Sequence, residues 1–300
     1  MAAVTTQRSA DLREPSGWRR AKNRLAVGSM WFALLCVLIP LGFVLVSVLV
    51  KGASVISWQF LTSSTIPPNV LPANIGGMGA AVVGTLEVTA FASVIAIPLG
   101  VLGAIYLSEY GGNRPLARLI SFLSDVMTGV PSIVMGLFIF TVWVIPRGLS
   151  GYSGMAGSFA LACLMLPIVI RSSYEILRLV PDSLRQGSYA LGATKSRVTL
   201  TVVLPAAAGG LVSGALLAVA RAAGETAPLL FTIGAVEATN SNIFSGSNTA
   251  LSVQIFDNVL QPYTGAVDRG WGAALTLIAI AFIFMIAARL VTARFNRYSR

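Results

Sequence analysis

Arg221 and Glu225 stand four residues apart within the stretch ARAAGETAPLLFT at 220–232, inside a long apolar run. On a helix that spacing is one turn, so guanidinium and carboxylate can meet on one face. Arg before Glu is the weaker order for a surface pair, so helix stabilisation alone explains it poorly. Arg221 offers an anion charge and forked hydrogen bonds. Glu225 can limit how tightly Arg221 holds such an anion, or accept a hydrogen bond from a protonated one. Pro228 lacks the N–H that would bond the carbonyl of Gly224, and both residues weaken the helix there. A charged pair beside a kink reads as a gate or a substrate path; the alternative is an ion pair that only fixes helix packing. Arg171, at the end of another apolar run, is either a second anion contact or an anchor snorkelling to lipid headgroups. The chain has no histidine, which excludes a His-based metal site and a His general base.

The elements that must position these residues follow from composition. Of 300 residues, 55% are hydrophobic and 11% charged, where a soluble domain carries about a quarter. The chain reads as an all-α integral membrane protein. Apolar runs at 27–50, 79–107, 119–145, 155–171, 207–233 and 271–288 predict six spanning helices. The first run is too long for a cleaved signal core. A fifth span over 207–233 puts Arg221 near its midpoint, where a lone arginine costs about 2.5–3.5 kcal/mol on insertion scales. The stretch GVPSIVMGLF at 129–138 has the small residues that suit packing against protein rather than lipid. Between the first two runs, Pro67, Pro68 and Pro72 indicate a loop, with one short helix around 58–61. Cys36 and Cys163 both lie in apolar runs and read as buried, reduced residues. The expected organisation is a basic tail over 1–26, a membrane domain over 27–290 with a loop at 172–206, and a second basic tail over 291–300.

The net charge of +10 is a topology signal rather than a mark of nucleic-acid binding. Six spans place both termini on one side. That side carries the basic residues of the N-terminal tail, Arg114 and Arg118, those from Arg171 to Arg197, and the C-terminal tail, together 17 of 21. The excess of positive charge predicts that this side is cytoplasmic.

On the same side lies QGSYALGATKSRVTLTVVLP, from Gln186 to Pro205, which reads as two short helices and a tight corner. Leu177, Leu184, Ser188 and Leu191 recur on one helical face, and Gly192 suits the left-handed residue that ends a helix. Thr194 is placed to cap a second helix in which Val198 and Val202 stack, and Pro205 marks its end. By residue type this is either a docking loop or an amphipathic loop on the membrane surface. Gly192-Ala-Thr-Lys-Ser196 lacks the glycine before lysine that a phosphate-binding loop needs, and no strand precedes it. The chain is therefore not expected to hydrolyse ATP.

The loop resembles the cytoplasmic loop of ABC-importer permeases, with Gly192, Val202, Leu204 and Pro205 in register. Gln186-Gly187-Ser188 stands where that family has Glu-Ala-Ala. The 221–232 stretch resembles the fifth helix of phosphate-specific permeases, of the PstA rather than the PstC type. GVPSIVMGLF, LPIVIRSSYEILRLVP at 166–181 and LSVQIFDNVLQPY at 251–263 agree, so the resemblance covers about 75–295. It implies a type I ABC importer permease fold with both termini cytoplasmic, in the bacterial plasma (inner) membrane. It implies import of inorganic phosphate through a heterodimer with a PstC-like permease. A PstB-like ATPase dimer would hold the ATP, and a PstS-like phosphate-binding protein would serve the outer side. This chain itself would carry no cofactor and no enzymatic activity. The coupling surface would comprise Gln186, Gly187, Ser188, Ala190, Gly192, Ala193, Lys195, Leu204 and Pro205. The same architecture carrying molybdate or sulfate is the near alternative. An ion-coupled secondary transporter is a further one, which the absence of internal symmetry disfavours. For a non-transporting scaffold, the arginine in the fifth run would be an unexplained cost.

Overall fold

The computed structural model describes residues 17–64, 76–234, 236 and 238–296. Arg8, Arg13, Pro67, Pro68, Pro72, Arg297 and Arg300 lie outside the described residues. Among those described, all regular structure is helical, and six helical segments are long and apolar enough to cross a membrane.

The chain divides into two compact units, one ending at Leu49 and one beginning at Val50. The described part of the first is a single helix, α1 (Gly17–Ala53), whose last residues belong to the second unit. It starts well before residue 27, because 18–25 holds no helix breaker and several good helix formers, Arg, Lys and Ala. Cys36 on α1 is exposed rather than buried.

The second unit is built around α3 (Gly79–Ile105) and α6 (Gly154–Arg178), which pack along much of their lengths. Small residues let the two backbones close: a Cβ on Gly100 would lie 2.6 Å from Val169 Cγ1. Val88, Ala92 and Ala96 of α3 join Leu161, Met165 and Val169 of α6 in the principal core. α9 (Leu204–Ala223) adds Ala218, Val219 and Ala222 to it, and α10 (Ala227–Thr232) adds Leu229. α12 (Thr264–Asn296) covers α9 and α11 (Leu251–Val259), and its Thr292 hydroxyl donates to Gly209 O at 3.2 Å. The short helix expected near Trp58 is α2 (Trp58–Thr62), capped by the Ser57 hydroxyl, which accepts from Phe60 N–H at 3.1 Å.

Two of the expected spans are redrawn. Residues 119–145 are not one helix: α4 (Pro115–Gly129) stops, and α5 (Ser132–Ile139) begins, across the extended Val130-Pro131. Proline pushes its predecessor out of the helical region and withdraws a donor, and Gly129 just before it holds the helix only weakly. The third spanning segment is consequently Ser132–Gly151, with a π-helical turn at Phe140–Val144 and a 3₁₀ stretch at Ile145–Gly151. Only one face of its first helix meets this chain's protein, through Gly136 and Ile139; Ile133, Val134, Leu137 and Phe138 are exposed.

The fifth span runs Lys195–Ala223, from α8 (Lys195–Val198) through a π-helical turn at Thr199–Val203 into α9. Pro205 therefore does not end a helix; it sits in the first turn of α9, where a proline is tolerated. The expectation of a continuous helix over 207–233 fails at the other end too. α9 stops at Ala223, so Arg221 occupies its last turn rather than the middle of a span.

α5 and α10 cross backbone against backbone: a Cβ on Gly136 would lie 2.6 Å from Pro228 Cα. Backbone cannot yield as a side chain can. Gly136→Val is expected to destabilise the protein by about 1–3 kcal/mol. A Cβ on Gly28 meets nothing within 4 Å, so Gly28→Ala should leave thermal unfolding in detergent unchanged or slightly raised.

Candidate functional site

Gly224 N–H donates to Arg221 O at 3.1 Å and Glu225 N–H to Ala222 O at 3.1 Å, a tightened last turn that closes α9. α10 then restarts with Pro228 in its first turn, where no backbone donor is required. The Gly224 and Pro228 pair thus breaks the helix outright rather than kinking it. Ser252 of α11 donates its hydroxyl to Glu225 O at 2.8 Å and ties down the break.

Arg221 Nε lies 4.0 Å from Glu225 Oε1, with side-chain exposures of 71% and 22%. A pair this open is worth about 0.3–0.5 kcal/mol, too little to explain a charge in this setting. At that distance the contact is an ion pair without a hydrogen bond, and among the described residues the guanidinium makes none, so its fork remains available. The carbonyl-rich end of α9 favours a cation there.

Both side chains line a cavity of about 320 Å³. Its other walls are the α4–α5 break, through Thr128, Pro131 and Ser132, and α6 at Leu164 and Pro167. Three helices thus present an interruption or a proline to one cavity. The 129–138 and 221–232 stretches are each legible in the sequence, but not their meeting. The missed signal was Gly-x-Pro inside an apolar run. A second, larger cavity of about 570 Å³ has Asp257 as its one charged lining residue. Burial pushes the Asp257 carboxyl above the usual carboxylate range. An acid is the wrong sign for an anion, which singles out the Arg221 cavity.

Arg171 does not reach that cavity. α6 continues to Arg178, so Arg171 lies within the helix and not at its end. Its Nε donates to Glu175 Oε1 at 2.9 Å and its Nη1 to Asp125 Oδ1 at 3.3 Å, all three groups being exposed. Two carboxylates already match its charge, and the cluster ties α4 to α6.

The loop at 186–205 forms two helices, α7 (Asp182–Ala190) and α8, about a corner at Gly192 with φ +78°. Thr194 takes the cap position of α8, but its hydroxyl meets Ser196 Oγ at 3.4 Å rather than a backbone donor. Val198 is buried, with Val202 packed against the same cluster. Leu177 does not share a face with Leu184 and Leu191: Pro181 separates α6 from α7, leaving Leu177 buried and the other two exposed. Gln186, Gly187, Ala190, Gly192, Lys195 and Pro205 are exposed, and Ser188, Ala193 and Leu204 half-buried. Sequence reasoning missed the residue that holds α7. Arg185 Nη2 donates to Glu109 Oε1 at 2.9 Å and to Leu177 O at 3.0 Å. Nothing in the spacing of two residues so far apart in sequence announces that pair.

Residues 96–297 match the family of the binding-protein-dependent transport system inner membrane component. The phosphate transport system permease protein PstA 1 of Mycobacterium tuberculosis H37Rv is 39% identical over 277 residues, 91% of this chain and 88% of the relative. PstA of Mycobacterium leprae is 41% identical over 273 residues, 90% of this chain and 88% of that one. PstA of Yersinia pestis is 38% identical over 287 residues, 94% of both chains. Among solved structures, the inward-facing MetNI methionine ABC transporter aligns with a TM-score of 0.57 at 22% identity, over 73% of this chain and 97% of that chain. A bacterial alginate ABC transporter aligns with a TM-score of 0.60 at 13% identity, over 92% of this chain and 97% of that one. These two identities carry the fold only. With a family match over most of its length and relatives this similar, the chain belongs to the binding-protein-dependent transport system inner membrane components, among the PstA-type permeases.

Proposed function

We propose that the chain is one half of the membrane pathway of an ATP-driven importer of inorganic phosphate. The observation that carries this reading is Arg221, whose fork of donors is almost unengaged at a cavity walled by helix breaks. Phosphate substrates named for the relatives support the cargo. The other half of the pathway is a PstC-like permease, and phosphate arrives from a PstS-like binding protein on the outer side. A PstB-like ATPase dimer binds the ATP and docks on the exposed face of α7 and the Gly192 corner; the chain needs no cofactor of its own. The basic side, with both termini and this loop, is cytoplasmic, in accord with the placement of 17 of 21 basic residues. The membrane is the bacterial plasma membrane.

In this mechanism Arg221 attracts the anion and binds it through paired N–H donors. Glu225 weakens that hold enough for release, and accepts a hydrogen bond from the P–OH that sulfate lacks at neutral pH. The break at Gly224–Thr226 lets α10 move against α9 without disrupting either helix. Arg171, with Asp125 and Glu175, braces α4 against α6 beside the route.

Arg221→Ala should lower ATP-dependent uptake of labelled phosphate in vesicles by about 10- to 100-fold, the loss of a charge-assisted contact of about 1.5–3 kcal/mol. Wild-type vesicles that move only molybdate or sulfate would refute the cargo. Glu225→Gln should reduce discrimination between phosphate and sulfate, read by competition with unlabelled anion; unchanged selectivity and rate would remove its role. Arg171→Gln, at an exposed and already neutralised site, should change uptake by less than about fivefold, since such pairs contribute about 1 kcal/mol at most.

A further inference from the structure

A loop that docks on an ATPase needs a route by which its movement reaches the spanning helices. Glu109 sits in the π-helical turn Tyr106–Gly111, which prolongs α3 at the end nearest α7. Its carboxylate is paired with Arg185 of α7 at 2.9 Å, and the side chains are 5% and 13% exposed. Ser108 donates its hydroxyl to the same Glu109 oxygen at 3.1 Å. Arg185 also donates to Leu177 O at 3.0 Å and Val180 O at 2.6 Å, at the end of α6, and to Asp182 Oδ1 at 3.1 Å. One guanidinium therefore joins three parts: the exposed helix of the loop, the last turn of the fourth span and the π turn of the second. Lys195 adds a second tie to that turn, its ammonium 5.3 Å from the Tyr110 ring centroid.

The rest of α7 has no buried side chain except what this arginine supplies, so α7 is otherwise loosely held. A buried ion pair is a poor choice for stability alone, because desolvation offsets much of its attraction. It is directional, however: Glu109 Oε1 accepts from both Arg185 and Ser108, and the two terminal nitrogens of Arg185 donate to four acceptors. The π turn places one extra residue in the α3 helical turn and so presents Glu109 towards α7 rather than away from it.

We infer that the Glu109–Arg185 pair is the mechanical link of this permease. It makes α7, the end of α6 and the end of α3 move as one body, so that displacement of the loop by the ATPase becomes displacement of the second and fourth spans. The two are positioning residues, acting through the helices they join. The inference rests on the proposal that α7 docks on an ATPase, but not on which anion is carried.

The test uses the assembled complex in lipid. Spin labels on Ser183→Cys in α7 and Leu102→Cys in α3, with Cys36→Ser and Cys163→Ala, report the distance between the two elements. In the otherwise native protein that distance should stay narrow and constant between the nucleotide-free and vanadate-trapped states. With Glu109→Gln it should broaden on trapping, and phosphate imported per ATP hydrolysed should fall at least fivefold while ATP hydrolysis stays within twofold. Arg185→Lys, which keeps the charge but not the fork, should give the intermediate result. An unchanged distance and an unchanged ratio in assembled variants would overturn the inference. Parallel loss of assembly, hydrolysis and uptake in both variants would overturn it equally, by reducing the pair to a fold contact. The distance readout needs no cargo, so a failure of the phosphate reading shows separately, as native complexes that keep the link but do not import phosphate.

Discussion

A helix end leaves backbone donors and acceptors unsatisfied, so at the end of a membrane span it can stand only where protein, an aqueous cavity or water meets it. That constraint governs the arrangement seen here. α4 ends at Gly129 and α5 begins at Ser132; α9 ends at Ala223 and α10 begins at Ala227. Both breaks open onto the same cavity, and they brace each other, with Gly136 of α5 packed on Pro228 of α10. Elsewhere the segment after α9 is tied by the Ser252 hydroxyl to Glu225 O. The breaks are affordable because they are shared, and a cavity walled by them can change shape where intact helices would resist.

The charge then follows from the geometry. Arg221 lies in the last turn of α9, where the helix dipole already favours a cation and where the neighbouring Glu225 stands too far off to neutralise it fully. Arg171 shows the contrast: the same residue type, met by two carboxylates, is a brace between helices. Arg185 shows a third use, half-buried with both terminal nitrogens hydrogen-bonded, joining the loop to two spans. Three arginines of one chain thus stand in three settings, and what separates them is the number of acceptors each one meets.

Much of this was legible in the residues. Six apolar runs of about twenty residues announce six spans because the bilayer sets that length. Hydropathy does not register where a run is cut, so the third and fifth spans were drawn across breaks. Proline alone would not have corrected this, since Pro40, Pro98 and Pro167 all lie inside continuous helices. Pro131 and Pro228 each have a glycine shortly before them, Gly129 and Gly224, whereas Pro181 separates α6 from α7 with none. Glycine loses the most freedom on entering a helix, and together with proline it tips the balance. The corner at Gly192 was readable because only glycine takes φ +78° without strain. The link between Glu109 and Arg185 was not, because no local rule joins residues from different helices.

The most direct test of the account is whether the anion occupies the cavity at the helix breaks. Thr128→Cys, in a background of Cys36→Ser and Cys163→Ala, places one thiol on the cavity wall beside the α4–α5 break. In the assembled transporter, phosphate should slow modification of that thiol by a small charged reagent several-fold, and sulfate at the same concentration should not. Equal rates with and without phosphate, under conditions where the complex imports it, would place the anion elsewhere and contradict the account.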